Sequence, residues 1–306
     1  MAEKRYNTFS AELRRLFGCR VQRISVDAGF TCPNRDGSVG VGGCSFCGGN
    51  GSGAKGIVRG LSVTEQLEHG KGVMVRKYGA RKFLAYFQAF SNTYAPVERL
   101  RALYDEALAV PDVVGLIIGT RPDCLPPEVL DLLAEYARKT YLLLELGLQS
   151  SVDRTLAAVN RGHDVACFVE AAHHCRERGI AVCAHLIFGL PGETREEMLQ
   201  TAELLNGLGI GGVKLHHLHV MKGTVLEERY RQGELTLMER DDYVGIVCDF
   251  LERLDPKVLV MRLVGDGGLN LVAPRWGTAK FDILNAIERE LERRGTRQGF
   301  MLKRMS

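Results

Sequence analysis

Residues 145–193, ELGLQSSVDRTLAAVNRGHDVACFVEAAHHCRERGIAVCAHLIFGLPGE, contain the pattern that decides the fold. Apolar runs over residues 141–148 and 180–188 predict two strands, and the stretches between them predict two helices over 151–160 and 165–178. Both runs are apolar on both faces, which is typical of strands in a parallel sheet covered by helices. The stretch therefore predicts a strand–helix–strand unit with two parallel strands.

The same alternation extends over most of the chain. After an opening helix, further strands are predicted over 20–27, 83–88, 113–119, 211–220 and 258–263, and further helices over 61–78, 97–109, 126–139, 194–208, 238–254 and 279–294. This pattern predicts an α/β fold, a partial or full parallel βα barrel with a C-terminal helical extension, although an open doubly wound sheet stays possible. We expect a barrel core with the N-terminal helix over residues 1–270 and a C-terminal helix with a basic tail packed on it over 271–306.

Composition excludes several classes of protein. The chain has 306 residues, 45% of them apolar and 25% charged, which argues against disorder and coiled coil. Its net charge of +3 is too small to indicate nucleic-acid binding by itself. The N-terminus lacks a secretory apolar run and no stretch is long and apolar enough to span a membrane, so we expect a cytoplasmic protein with no membrane partner.

A glycine-rich loop follows the first predicted strand and holds Cys32, Cys44 and Cys47 with the spacing C-x11-C-x2-C. Loops of this length inside a domain are usually functional, and the carboxyl ends of parallel strands are where such folds bind ligands. Three thiolates could hold an iron–sulfur cluster with one iron open, or a zinc ion completed by a distant residue. Most of the other six cysteines are expected to be buried packing residues, with Cys124, on the same rim, as the exception.

Several motifs give this chain a family resemblance. The cysteine triad ending in C-x-aromatic-C after the first strand resembles the radical S-adenosylmethionine (SAM) superfamily, although the first gap is longer than usual there. Residues 145–193, GTRPDCL (119–125) and VKLHHLHVMKGT (213–224) are similar to the radical SAM core of the Elongator catalytic subunit. Four further segments resemble the YhcC-like group of that superfamily: CPNRDG (32–37), GGCSFC (42–47), YFQAFSNTY (86–94) and RLVGDG (262–267).

The resemblance implies cofactors and an activity. Cys32, Cys44 and Cys47 would hold a [4Fe-4S] cluster that binds SAM and cleaves it reductively to a 5′-deoxyadenosyl radical, which abstracts hydrogen from a substrate. An electron donor such as a flavodoxin or ferredoxin is then implied. A transfer RNA base is a possible substrate, because Elongator acts on transfer RNA. The alternative is a non-catalytic iron–sulfur or zinc protein that binds RNA or a protein partner.

The resemblance also implies a set of cofactor-binding residues on the carboxyl rim: Phe46, Gln88, Ser91, Asn92, Arg121, Glu145, Gln149, Arg161, His185, Gly189 and Glu193. Alternatives stay open for several of them. Phe46 could belong to the core, Arg121 could form a structural ion pair with Asp123, and Glu193 could be a first-turn acidic residue of the following helix. Glu145 lies in an apolar run, where a buried carboxylate requires a partner.

Lys214 and Cys124 are the candidate catalytic residues. Lys214 is shared with Elongator, which makes it the leading substrate contact, and it lies on the predicted strand that also carries His216, His217 and His219. Of these histidines only His217 and His219 share a face and could act together. Two further expectations are a pair between Arg262 and Asp266, and a C-terminal basic run over residues 289–304 that could meet RNA phosphates or be a solvated helix end.

Overall fold

The computed structural model describes residues 4–49, 51 and 60–302. Seven parallel strands form one sheet in chain order, β1-β2-β3-β4-β5-β6-β8, so that each strand pairs with its sequence neighbour in the sheet. Their bounds are Val21–Val26 (β1), Lys82–Phe87 (β2), Val113–Thr120 (β3), Tyr141–Gln149 (β4), Ala181–Phe188 (β5), Gly212–His217 (β6) and Leu259–Arg262 (β8). The sheet curls into a half-barrel with helices outside it, which confirms the predicted partial barrel.

Ten helices accompany these strands in the described part of the chain. They are Phe9–Phe17 (α1), Val63–Tyr78 (α2), Val97–Ala109 (α3), Pro127–Lys139 (α4), Asp153–Ala158 (α5), Val165–Glu177 (α6), Arg195–Leu208 (α7), Val225–Arg231 (α8), Arg240–Arg253 (α9) and Lys280–Arg294 (α10). The expected strands and long helices are all present. The sequence did not predict α8 or the short antiparallel pair of β7 (Val220–Met221) with β9 (Leu271–Ala273).

Two apolar layers lie on the two faces of the sheet. The larger layer packs the outward side chains of the strands against the helices, and it includes Ile287 of α10 beside Cys248 of α9. The smaller layer lies inside the half-barrel, where Phe9 and Leu13 of α1 pack against inward side chains of the strands. Because α1 covers the amino ends of the strands, the polar groups of the barrel interior lie toward the carboxyl ends.

No helix in the described ranges is both long and apolar enough to cross a membrane. Lys303 and Arg304, which belong to the basic run expected at the C-terminus, lie outside the described residues.

Candidate active site at the carboxyl ends of the strands

The three loop cysteines follow the carboxyl end of β1. Tight turns shape the loop, since Arg35 N donates to Cys32 O at 2.8 Å and Cys47 N donates to Cys44 O at 2.9 Å. None of the three cysteines forms a disulfide; Cys44 is buried and the other two are half-buried. The loop therefore holds its sulfurs at the rim where ligands of parallel α/β folds bind.

Two side chains approach the sulfur of Cys44, Asn34 from the same loop and Arg161 from the segment after α5. Asn34 Nδ2 lies 3.7 Å from Cys44 Sγ, and Arg161 Nη1 lies 3.5 Å from it. Asn34 also donates to the carbonyl of Asn160 at 2.6 Å, and Arg161 Nη2 donates to the carbonyl of Gly147 at 2.7 Å. A guanidinium and an amide N–H are hydrogen-bond donors, so both groups can donate to the sulfur of a metal-bound cysteine at this position.

Strained backbone surrounds this loop. Four non-glycine residues of the described chain have positive φ, and three of them lie at this rim: Phe90, Gln149 and Asn160. Gln149 has φ of 73° at the last position of β4, is buried, and leaves its Oε1 without a hydrogen-bond partner in the described chain. Residues held in such conformations cluster at functional sites.

Gly147 explains how Arg161 reaches the loop. A Cβ at Gly147 would lie 2.5 Å from Arg161 Nη2 and 2.6 Å from Gln149 Nε2. Only glycine therefore leaves room for both side chains. Arg161 Nε is buried with no partner among the described residues, so a donor is available there for a ligand.

The residues after β2 and β3 form the next part of the rim. Ser91 N donates to Thr31 O at 3.1 Å, and Asn92 Nδ2 donates to Gly119 O at 2.8 Å. Asn92 is fully buried and its Oδ1 has no partner in the described part. Gln88 is half-buried at the end of β2. These contacts tie the rim to the cysteine loop without using every polar atom.

Arg121 is already engaged by protein groups. Its Nε and Nη2 donate to the two carboxylate oxygens of Asp123 at 2.8 and 2.6 Å, and its Nη1 donates to Arg161 O at 2.8 Å. This is the geometry of the structural ion pair that the sequence left open. Burial lowers the pKa of Arg121, but Asp123 and the nearby Cys32 and Cys44 raise it above the usual value. Both thiols thus lie near one guanidinium.

Glu193 lies just before helix α7 rather than in its first turn. The helix is capped by Thr194, and its first-turn acidic residues are Glu196 and Glu197. Ser150 donates to Glu193 Oε1, while Glu193 Oε2 has no partner in the described chain. Burial raises the pKa of Glu193 to about 7. Gly189, with φ of 83°, turns the chain between β5 and this carboxyl group.

Phe46 packs partly buried against a separate apolar cluster that includes Leu190, Leu218 and Leu226. Its neighbour Ser45 is tied to the same region, because Ser45 N donates to Val159 O at 2.9 Å and Leu226 N donates to Ser45 O at 3.1 Å. The contacts of Phe46 thus match the core alternative, and helix α8, which the sequence did not predict, supplies part of that core.

Glu145 finds its partner across the half-barrel. Lys214 Nζ lies 2.5 Å from Glu145 Oε2 and 2.5 Å from Tyr86 Oη, and Tyr86 also donates to Glu145. Arg23 Nη1 lies 3.7 Å from Glu145 Oε1. Burial would raise the pKa of Glu145, but Lys214 and Arg23 lower it, whereas burial lowers the pKa of Lys214 to about 8. Tyr86 and Arg23 were not singled out from the sequence.

The histidines of β5, β6 and the following residues form one cluster, in which the ring centroid of His216 lies 5.2 Å from that of His185 and 5.3 Å from that of His219. His185 Nε2 lies 3.2 Å from Arg262 Nη2, so Arg262 does not pair with Asp266; that expectation was wrong, because Asp266 pairs with Lys280 at 2.8 Å. His217 and His219 do come together, with their Nε2 atoms 2.9 Å apart, and His217 stacks on a Trp276 ring.

Cys124 is buried behind the rim. Burial raises the pKa of its thiol to about 12, so the thiol is protonated at neutral pH. It lines an outer groove of about 1210 Å³ between α3, α4 and α6. This state does not suit a thiolate nucleophile.

The residues present suit an iron–sulfur cluster with bound SAM. No three His, Cys, Asp or Glu side chains in residues 4–49, 51 and 60–302 are grouped to hold one metal ion. A cubane, however, spreads its thiolates over separate iron atoms. Three cysteines outside any disulfide share the loop, and the buried atoms Gln149 Oε1, Arg161 Nε and Asn92 Oδ1, which have no partner in the described chain, lie on the same rim and could receive a polar ligand.

Comparison with known proteins agrees with this arrangement. The model of the Radical SAM superfamily matches residues 32–205, and that of the Radical_SAM C-terminal domain matches residues 210–293. The chain belongs to the radical SAM superfamily.

Within that superfamily the chain is similar to two proteins over nearly its whole length. It is 46% identical to YtqA of Bacillus subtilis (strain 168), over 99% of this chain and 94% of that protein. It is 40% identical to YhcC of Escherichia coli (strain K12), over 99% of this chain and 97% of that protein.

More distant relatives match part of the chain. The tRNA uridine(34) acetyltransferase of Dehalococcoides mccartyi is 30% identical over 50% of this chain and 33% of that protein. The structure of Methanocaldococcus infernus Elp3 with an N-terminal deletion has a TM-score of 0.69 at 18% identity, covering 91% of this chain and 64% of that one. This likeness shows a shared fold.

Proposed function

We propose that this chain is a radical SAM enzyme in which Cys32, Cys44 and Cys47 hold a [4Fe-4S] cluster. The observation that carries the proposal is the placement of the three cysteines in one loop at the carboxyl rim, with Arg161 and Asn34 beside Cys44 Sγ. When bound, the cluster with SAM would supply a 5′-deoxyadenosyl radical that abstracts hydrogen from the substrate.

The residues of the chain have distinct parts in this proposal. Arg161 and Asn34 would donate to the metal-bound sulfur of Cys44, and Gly147 leaves the room that Arg161 needs for this contact. Arg161 Nε, Gln149 Oε1 and Asn92 Oδ1 are the buried atoms available to bind SAM. Glu193, with a pKa of about 7, can hold a proton near the same rim.

In this proposal Lys214 and Glu145 support the structure of the site and do not contact SAM or the substrate. Their buried pair, with Tyr86, lies inside the half-barrel and uses most of the hydrogen-bonding capacity of Lys214. We assign this pair to holding strands β2, β4 and β6 together beneath the site. Cys124, protonated and behind the rim, is the weaker of the two catalytic candidates.

We further propose a transfer RNA base as the substrate and a flavodoxin or ferredoxin as the electron donor. Support for the RNA comes from the similarity of half the chain to a relative named as a tRNA uridine(34) acetyltransferase. Fold-level likeness alone does not define a substrate, so this part of the proposal needs its own test.

The enzyme proposal is tested by anaerobic reconstitution with iron and sulfide, followed by SAM and dithionite. We expect visible iron–sulfur absorbance and 5′-deoxyadenosine in the wild type, and neither in Cys44→Ala. Cys167→Ala, at a half-buried cysteine on helix α6, is the matched control and should behave like wild type. Stoichiometric zinc without cluster absorbance would contradict the enzyme proposal and would indicate a non-catalytic metal protein.

The substrate proposal is tested separately by nucleoside mass spectrometry of transfer RNA from a deletion strain. We expect one modified nucleoside to disappear and its precursor to accumulate, and complementation with Cys44→Ala should not restore it. An unchanged nucleoside profile would point to a different substrate while leaving the SAM chemistry intact.

A further inference from the structure

Basic residues are concentrated in two segments of the chain. Residues 13–26 and 69–97 contain nine Lys and Arg and no Asp or Glu, although the whole chain has nearly balanced totals of 40 and 37. Such segregation is unexpected for surface charges of mixed sign. It concentrates positive charge wherever the fold brings these segments together.

The fold places both segments at the amino ends of the first two strands. Arg81 N donates to Arg20 O at 3.1 Å, and Lys82 pairs with Val21 across β1 and β2. The guanidinium of Arg20 and the ammonium of Lys77 lie 5.3 and 5.2 Å from the centre of the Tyr78 ring. These contacts join the start of both strands to the end of α2.

The end of α1 completes this surface, because Lys82 Nζ lies 5.5 Å from the centre of the Phe17 ring. We call the surface the amino-rim patch and define it by six cations: Arg14, Arg20, Arg76, Lys77, Arg81 and Lys82. All but the half-buried Lys82 are exposed. A partner could therefore contact them together.

The charges of the amino-rim patch are not neutralised within the described chain. None of its six cations forms an ion pair with a carboxylate of residues 4–49, 51 or 60–302. Arg15, next to Arg14 on helix α1, is not counted in the patch, because it forms an ion pair with Glu12 at 2.7 Å. Asp112, just before β3, lies beside the patch on the neighbouring strand, because its carbonyl accepts a hydrogen bond from Phe83 N. Six cations without an ion pair in the described part of the chain favour a polyanionic partner.

We propose that the amino-rim patch binds the phosphate backbone of RNA. The choice of RNA among polyanions rests on the proposed function. The position of the patch argues against the electron donor, since β1 has six residues and at about 3.3 Å each separates the patch from the cysteine loop by about 20 Å. Cations grouped with aromatic rings are typical of nucleic-acid-binding surfaces.

The patch would give the enzyme affinity without selecting a base. Phosphate contacts fix the position of a nucleic acid and carry no sequence information themselves. Choice of the reacting base is left to the carboxyl rim at the other end of the half-barrel. This division predicts that RNA binding and SAM cleavage can be disrupted independently.

The test measures binding of a fluorescein-labelled, unmodified transfer RNA transcript to the cluster-reconstituted protein without SAM or reductant, from 50 to 300 mM KCl. With about six phosphate contacts, log K should fall against log salt with a slope of about −4 to −5. Because no SAM chemistry is involved, failure here and failure of the proposed enzyme activity are distinguishable.

The decisive variant is Arg20→Gln/Lys77→Gln/Arg81→Gln. It should reduce affinity at 100 mM KCl at least tenfold and make the slope less steep by about 2 to 3. Its 5′-deoxyadenosine production from SAM and dithionite, without RNA, should match wild type. The matched control, Arg289→Gln/Arg293→Gln/Arg297→Gln, changes three exposed arginines near and after the end of α10 and should bind as wild type does.

Three results would overturn the proposal. The first is unchanged RNA binding by the patch variant while its thermal unfolding shows a folded protein. The second is a larger loss in the control variant, which would move RNA binding to the C-terminal basic run. The third is competition by polyglutamate as effective, charge for charge, as competition by unlabelled RNA, which would identify an acidic protein as the partner.

Discussion

The carboxyl group of Glu193 gives the protein a measurable dependence on pH. Its pKa in the folded protein is raised by burial to about 7 from 4.5, so the folded state holds a proton that the unfolded state has released between these pH values. This contribution is fully present below pH 4.5 and is lost as pH rises through 7. Stability of the wild type therefore falls across this window because of Glu193.

Replacing the carboxyl group should remove that dependence. From pH 5 to pH 8 we expect Glu193→Gln to gain about 1–2 kcal/mol of stability relative to wild type, a value reduced for partial exposure. Urea unfolding of both proteins, without SAM, at four pH values measures the difference. Parallel stability curves would show that Glu193 titrates normally.

The buried pair of Lys214 and Glu145 gives a second prediction for single residues. Lys214→Met leaves the Glu145 carboxylate buried beside Tyr86, and we expect a loss of about 3–5 kcal/mol in the free energy of unfolding. Lys214→Met/Glu145→Leu should be less destabilised than Lys214→Met, because no buried carboxylate remains, and Arg23, which loses a contact at 3.7 Å, is 30% exposed and can be solvated. A double-mutant cycle from urea denaturation tests this, and simple additivity of the two single losses would contradict it.

At this scale the sequence predicted which residues would matter better than it predicted their contacts. The need of Glu145 for a partner followed from its apolar surroundings, but Lys214 is 69 residues away and no local pattern fixes that pairing. Arg161 was predicted on the rim; its contact with Cys44 depends on the space left at Gly147, which only the folded backbone defines.

In strand β4, Gly147 leaves space that two side chains of the carboxyl rim occupy. In Gly147→Ala the new Cβ would push Arg161 and Gln149 away, because it would lie 2.5 and 2.6 Å from their terminal nitrogens. We expect at least a twofold loss of iron bound per protein after reconstitution. The control is Gly211→Ala, where the nearest atom to the new Cβ is 3.5 Å away. Equal iron contents in both variants would show that the position of Arg161 does not affect cluster binding.

Elements with strong periodicity were predicted well and short ones were not. Some of the long helices have caps readable in sequence, such as the Ser62 and Glu65 capping box of α2. Helix α8 has seven residues and strand β7 has two, too few to show a period. An alternation of strands and helices is compatible with an open sheet as well as with a half-barrel, so the sequence did not decide whether the sheet curls.

For the whole molecule, helix α1 is the element that closes the half-barrel at its amino end. Leu13 is buried in the inner apolar layer between α1 and the strands. Leu13→Ala should cost about 2–5 kcal/mol of unfolding free energy, since no neighbouring side chain can fill the cavity without moving a strand. Leu16→Ala, at an exposed position on the same helix, is the control and should change stability by less than about 1 kcal/mol.

The segment before α1 is held by residues that are far away in the chain. Gln298 N donates to Arg5 O at 2.9 Å, Asn7 N donates to Gln298 Oε1 at 2.8 Å, and Val260 N donates to Asn7 O at 2.7 Å. The hydrogen bonds between residues 5–7 and Gln298 thus form only after residue 298 has been synthesised. Closure of the amino end of the half-barrel is therefore completed only near the end of translation. A nascent chain stalled before that point would expose its inner apolar layer to chaperones.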